Sequence, residues 1–286
     1  MPSTPMSNLM SDKNHLRSFF YDTAEKLKIR LFTWNEYGQN KTSFFTWIRK
    51  GIPLNSATKR FLDVGCGTGQ LLAESARALP GLEVSGVDLS PAMVNETRGN
   101  LSKDATIVVG DAEALPFSDS RFDAVSAIHM LYHVPHQTEA IKELLRVTKK
   151  NGVVFITTTE YDVHSGLNKL HYEGLKKFNF PEFMQDTSAY LRFTPERARS
   201  LLAGIVGQVD ELFYKNDVHF PSVESALSYY QSAMMYRQSL GVDDPRIESH
   251  KWELLYSDVK QSIEKKMTEN GFFLMPSTVV AFRIHK

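Results

Sequence analysis

Phe61-Leu62-Asp63-Val64-Gly65-Cys66-Gly67-Thr68-Gly69-Gln70 reads as a strand that breaks at a glycine-rich turn and resumes as a helix. Glycines let the main chain turn tightly and let a ligand approach the backbone with no Cβ in the way. The helix that follows presents free N–H groups and a partial positive charge. The spacing is informative. A dinucleotide fingerprint, G-x-G-x-x-G, would put glycine at position 70, whereas this chain has Gly69 and Gln70. Asp63 before the first glycine is also unusual for such a site, and Gln70 disfavours a nicotinamide oxidoreductase. No G-x-x-x-x-G-K-[ST] run occurs, which argues against a nucleoside triphosphate bound by a P-loop.

Outward from this loop, short β-branched runs alternate with amphipathic helical stretches, the pattern of a parallel sheet covered on both faces. Strands are expected at Arg60–Val64, Glu83–Leu89, Thr106–Val109, Phe122–Ile128 and Val153–Thr158, with a last one at Ser277–Ile284. Helices are expected near Gln70–Leu79, Pro91–Leu101 and Thr138–Thr148. In the third of these, Ala140, Ile141, Leu144, Leu145 and Thr148 recur at helical spacing. Ser90-Pro91 and Thr194-Pro195 are helix starts, pairing a capping hydroxyl with a proline whose missing N–H is not needed there. Asn151-Gly152 marks a sharp turn into the fifth strand.

Three acids fall where successive strands end. Asp63 lies in the first and Asp88 closes the second, 25 residues later; Asp111 follows the third. A carboxylate at the second position suits a pair of ribose hydroxyls, and one at the third suits an adenine amino group. Any one of them alone also serves as an ordinary cap or turn residue. Three beside a glycine turn, at the carboxyl ends of an open α/β sheet, define a ligand crevice.

This set resembles the class I S-adenosylmethionine-dependent methyltransferases, over roughly residues 58–160. The first motif of that family is matched by Asp63–Gly69 and its ribose acid by Asp88 within Val87-Asp88-Leu89-Ser90-Pro91. Its adenine motif is matched by Gly110-Asp111-Ala112, and the likeness continues through Phe122-Asp123-Ala124-Val125 and the strand after Asn151-Gly152. The resemblance implies an α/β fold with a doubly wound, mostly parallel seven-stranded sheet, and S-adenosyl-L-methionine as cofactor. It places Gly65, Gly67 and Gly69 beneath the methionine portion, Asp88 on the ribose, Asp111 and Ala112 on the adenine, and Met93 against its ring. Asp63, Gln70, Leu89, Glu113, Ile128, His129 and His133 complete the expected contacts. Tyr21, in Phe20-Tyr21-Asp22-Thr23-Ala24, resembles an N-terminal tyrosine that closes over the cofactor in many relatives, and His133 resembles a histidine frequent after the fourth strand. His133 and Tyr21 are the expected catalytic residues, while Cys66 reads as a small loop residue.

The flanks are rich in aromatics and methionines: Phe19, Phe20, Tyr21, Phe32, Trp34, Tyr37, Phe44, Phe45 and Trp47 early, then Tyr172, Phe178, Phe180, Phe183, Tyr190, Tyr229, Tyr230, Met234, Met235 and Tyr236. They read as helical cover over the open end of the sheet, with Trp34, Glu36 and Tyr37 facing an acceptor. The expected layout is a tail and helical cap (1–57), the cofactor-binding core (58–162), a lid insertion (163–193), a core helix and strand (194–220), a helical lid insertion (221–270) and a final core strand (271–286). Residues 1–13 read as a floppy tail.

Composition narrows the partners. Basic and acidic side chains number 33 each, so no overall charge draws the chain to nucleic acid or an anionic membrane. No stretch reaches the ~18 apolar residues of a membrane span, and the first residues lack a signal-peptide core. Cys66 is the only cysteine, which rules out an intrachain disulfide and a cysteine-based zinc site and suits a cytoplasmic setting. The leading expectation is methyl transfer to a small-molecule acceptor. A tRNA, protein or carrier-protein-bound substrate and a non-catalytic cofactor-binding protein are the alternatives. No residue pattern specifies an oligomeric state.

Overall fold

The computed structural model describes residues 11–160, 162, 164–185, 190–233 and 247–286. Met234, Met235, Tyr236 and most of the expected tail therefore lie outside the described residues, and the side chains of Phe19, Phe20, Phe183 and Tyr190 are likewise not described.

Nine strands are described: β1 (Arg60–Val64), β2 (Glu83–Asp88), β3 (Thr106–Val109), β4 (Phe122–Ile128), β5 (Thr148–Thr159), β6 (Val209–Lys215), β7 (Val218–Phe220), β8 (Phe273–Met275) and β9 (Thr278–His285). Seven form one sheet in the order β3-β2-β1-β4-β5-β9-β6. Pairing from β3 through β5 is parallel, and only β9 runs against its neighbours. The order reverses between β1 and β4, which opens a crevice at their carboxyl ends. The mostly parallel, seven-stranded sheet implied by the resemblance is the sheet observed.

A parallel sheet must be covered on both faces, and the alternation along each strand shows how. Leu62, Val154, Ile156 and Val280 pack on one side with Ala140, Ile141 and Leu144 of α5 (Gln137–Val147) and Leu202 of α7 (Pro195–Ala203). Their neighbours Phe61, Phe155, Val279 and Ala281 pack on the other side. There they meet Phe45 and Ile48 of α2 (Phe44–Gly51), Leu72 of α3 (Gln70–Ala78) and Val94 of α4 (Pro91–Asn100). Side chains one residue apart point to opposite faces of a strand, so one run feeds two cores.

Both proline-marked helix starts are capped as expected. Ser90 Oγ accepts from Met93 N and Thr194 Oγ1 from Arg197 N. Most boundaries fall within a residue of expectation, and the largest difference is at the fifth strand. The fifth strand begins at Thr148, five residues early, and its register against β4 shifts between Phe122 and Ala124, near the left-handed Asn151. The preceding helix stops at Val147; the Thr148 hydroxyl donates to Leu144 O, tying off its end. The pair β7–β8, a separate antiparallel two-stranded sheet, was not anticipated. Three-residue strands are too short to show a period.

A third apolar cluster lies apart from the sheet. Leu170 and Leu175 of α6 (Gly166–Lys177), Leu227 and Tyr230 of α8 (Val223–Ser232), and Trp252, Leu255 and Val259 of α9 (Ser249–Asn270) pack together with Phe220 and Phe273 of the small sheet. Near the amino end, α1 (Glu25–Glu36) contacts α8. Among the described residues no helix is long and apolar enough to cross a membrane.

Candidate active site

The turn after β1 is pinned to the end of β2. Gly65 N and Cys66 N both donate to Val87 O, at 2.7 and 3.0 Å, and Gly67 N donates to Asp88 Oδ2 at 2.9 Å. The other Asp88 oxygen accepts from Ser90 N at 2.9 Å. Gly65 is required twice over: its φ of 71° is in the left-handed region, and a Cβ there would lie 2.8 Å from that of Met130. With a backbone cradle on one side and a carboxylate on the other, the crevice already has the polarity of a nucleoside site.

A cavity of about 640 Å³ opens here. Asp63, Gly65, Gly67 and Gln70 reach it from the first strand and its turn, and Asp88, Leu89 and Met93 from the second. Asp111 and Ala112 border it after β3; Ile128, His129 and His133 do so after β4, and Tyr21 closes it from the amino-terminal segment. Two expected contacts are absent from its wall. Gly69 is the left-handed N-cap of α3 and backs onto Thr97, where a Cβ would lie 2.6 Å from Cγ2. Glu113 faces away: its carboxylate accepts from Lys13 Nζ at 2.6 Å and from His136 N at 2.7 Å. Of the three residues expected to face an acceptor, Trp34 lines the cavity and Glu36 and Tyr37 do not.

Burial sets the electrostatics of the cradle. It pushes the Asp63 carboxyl up to about 7, against the pull of the Ser126 hydroxyl that donates to Oδ1 at 2.6 Å; the nearby Asp88 charge adds to the rise. Asp88 is pushed up to about 6 by burial, although backbone N–H donors favour its charged form. Asp111 behaves oppposite to these two. Burial would raise it, but the Lys13 ammonium at 2.5 Å and the Glu113 N–H outweigh that and hold it below the ordinary carboxylate range. Burial drives the Cys66 thiol well upward, so it stays protonated, as a small loop residue rather than a nucleophile.

The amino-terminal segment runs along the cavity from Asp111 to His133, after β4. Lys13 holds Asp111, Arg17 Nε donates to Leu89 O, and Ser90 Oγ donates to Tyr21 O at 2.6 Å. Tyr21 Oη then lies 2.9 Å from His133 Nε2. His129 occupies the side nearer β5. Its φ is 50°, its ring stacks on Phe44 at 5.4 Å, and burial lowers its pKa to about 4, leaving it neutral. Its Nδ1 is 3.4 Å from Thr159 Oγ1, while Nε2 is buried with no partner among the described residues.

Among the wall residues that sequence reading did not single out are Lys13, Arg17 and Arg30. A signal for one of them was present. Leu27, Arg30, Leu31, Trp34 and Asn35 all line the cavity and fall at helical spacing on α1, so a stripe of that helix faces inward.

The cradle fits S-adenosylmethionine. Open glycine backbone, a carboxylate at the second strand end and an acid-alanine pair at the third border one hollow. A family model described as a methyltransferase domain matches residues 62–156. The chain is similar to the sterol 4-C-methyltransferase strm-1 of Caenorhabditis elegans, at 34% identity over 42% of this chain and 37% of that protein. It is also similar to the ubiquinone/menaquinone biosynthesis C-methyltransferase UbiE of Pseudomonas paraeruginosa (34%, covering 44% and 52%). The demethylmenaquinone methyltransferase of Staphylococcus aureus is matched at 32%, covering 54% and 64%. The chain thus spans from about a third to under two thirds of these relatives. Among solved structures, Haemonchus contortus phosphoethanolamine N-methyltransferase 2 in complex with S-adenosyl-L-methionine shares the fold. Its TM-score is 0.55 at 16% identity, covering 100% of this chain and 60% of that one. With the sheet order and the glycine turn already described, residues 62–156 match a methyltransferase domain, and these likenesses support a class I, Rossmann-like S-adenosylmethionine-dependent methyltransferase.

Proposed function

We propose that this protein transfers the methyl group of S-adenosylmethionine to a small organic acceptor held under a helical cover. The observation that carries this reading is a single cavity bordered by the glycine turn, Asp88 and Asp111 on one side and by Trp34, Phe44, Tyr132 and Tyr229 on the other. When bound, the cofactor supplies a methyl group already activated by its sulfonium.

The protein's task is then alignment and exclusion of water. Bringing reactants into line can contribute up to ~7–11 kcal/mol of barrier lowering. In this reading Asp88 accepts from the ribose hydroxyls, and Asp111 with Ala112 and the buried Met93 hold the adenine. Gly65 and Gly67 lie beneath the methionine portion, with Asp63 and Gln70 at its edge and Leu89, Ile128 and His129 completing the wall. Tyr21 and His133 act as one hydrogen-bonded unit beside the reacting groups, Tyr21 fixing the ring whose Nε2 it meets. Helices α6, α8 and α9 form the cover, joined through their shared apolar cluster. An aromatic-walled pocket suits an acceptor with an apolar part, in keeping with the sterol and the ubiquinone/menaquinone biosynthesis that the relatives' names give.

Isothermal titration of the protein with S-adenosylmethionine, followed by a transfer assay with a labelled methyl group over a panel of phenols, amines and sterols, tests this. Saturable binding and transfer to at least one acceptor are expected. Failure to bind the cofactor removes the reading.

A further inference from the structure

On α1 the stripe that faces the cavity is Leu27, Arg30, Leu31, Trp34 and Asn35, and Arg30 is its one charged member. Leu27 lies over the glycine turn, with its Cδ2 3.2 Å from where a Gly67 Cβ would stand. Arg30, one turn on, lines the same cavity as the glycine turn. Nη1 donates to Ser232 O, the last carbonyl of α8, at 2.6 Å. No carboxylate among the described residues comes within ion-pairing distance of its guanidinium. Of its five N–H donors, one is engaged among the described residues.

The surroundings are built for an anion. Arg30 is close enough to the Tyr21, Tyr132 and Tyr229 side chains for its charge to oppose the rise that burial imposes on each phenol. All three rings line the same cavity as Arg30. A half-buried guanidinium without a counter-ion is unfavourable, and beside a sulfonium it is worse, because two cations repel across a poorly screened pocket. The arrangement becomes favourable once an anion lies between them. The planar fork of arginine matches a carboxylate with two parallel hydrogen bonds.

We propose that Arg30 is the carboxylate-binding residue of this cavity. The inference rests on the methyl-transfer reading, since it takes the cavity to be shared by cofactor and acceptor. The carboxylate has two sources, the amino-acid end of the cofactor or an acid group on the acceptor, and the test separates them.

Binding is measured by titration calorimetry for the full chain and for Arg30→Gln. The probes are S-adenosylhomocysteine and 5′-methylthioadenosine, which lacks the amino-acid end. Benzoate and benzamide are then compared in the presence of saturating S-adenosylhomocysteine. If the carboxylate is the cofactor's, Arg30→Gln weakens S-adenosylhomocysteine about 10- to 100-fold, the scale of a lost charge-assisted bond, and leaves 5′-methylthioadenosine within about twofold. If it is the acceptor's, both nucleosides bind unchanged, and a preference of the original protein for benzoate over benzamide disappears in the variant. Arg30→Lys keeps the charge without the fork and is expected to give a smaller loss of the same kind; it carries the test if Arg30→Gln does not fold. Nucleoside binding with neither discrimination altered overturns the Arg30 assignment alone. A chain that binds neither nucleoside removes both it and the reading beneath it.

Discussion

The Tyr21 hydroxyl and His133 Nε2 lie 2.9 Å apart although 112 positions separate them in the chain. Their rings meet edge to face, 5.5 Å between centroids and 88° between planes. Tyr21 belongs to the segment that runs along the cavity, and His133 follows the fourth strand. The contact therefore joins the amino-terminal segment to the end of the sheet at the cavity wall.

Removing that hydroxyl tests whether the pair works as a unit. Tyr21→Phe is expected to lower kcat/KM about tenfold while costing no more than about 1.5 kcal/mol of stability, the net worth of one hydrogen bond. Combined with His133→Asn, the losses should be less than additive by about 0.5–3 kcal/mol. Fully additive losses in transfer kinetics would show that the two residues act independently.

Asp88 ties the glycine turn to the second strand and faces the cavity. Asp88→Ala should weaken S-adenosylhomocysteine binding by about 1.5–3 kcal/mol, the range for hydrogen bonds to a charged group. Titration calorimetry measures this directly. An unchanged dissociation constant contradicts the ribose assignment.

Lys13 bridges Asp111 and Glu113 from the amino-terminal segment, at 2.5 and 2.6 Å. All three side chains are partly exposed, so the pair adds little to stability, at most about 1 kcal/mol. Its effect should appear in exchange instead. Lys13→Gln is expected to raise the S-adenosylhomocysteine off-rate a few-fold in stopped-flow displacement, and added salt should narrow the gap between variant and original. Equal off-rates at low salt would mean that the latch does not retain the ligand.

Burial raises Asp63 to about 7 from an ordinary value of 3.8. Between those pH values the folded state holds a proton that the unfolded chain has released, so this group's contribution to stability falls as pH rises. His129 runs the other way. Its folded value of about 4 lies below 6.5, so its contribution is lost as pH falls through that window. The two overlap, and only a difference isolates one. Relative to Asp63→Asn, the original protein should lose stability steadily from about pH 4 to 7 in urea unfolding without ligand. A difference independent of pH would show that Asp63 titrates as in water.

Local chemistry alone determined much of this protein. Short apolar and β-branched runs marked the strands, as at Phe61 and Leu62, which feed opposite cores. Ser90-Pro91 set a helix start, and Gly65 and Gly67 set a turn no side chain could share. These signals arise between residues a few positions apart, so they are written into short stretches and need no fold to be read. Tertiary structure alone decided the rest. It turned Glu113 away from the cavity toward Lys13 and His136, and set Gly69 against Thr97 rather than the cavity. It brought Arg30 to Ser232, 202 positions away, and Lys13 to Asp111, 98 away. Such pairings depend on how helices settle over a sheet, and that follows from the packing of whole apolar faces rather than from any neighbour in sequence.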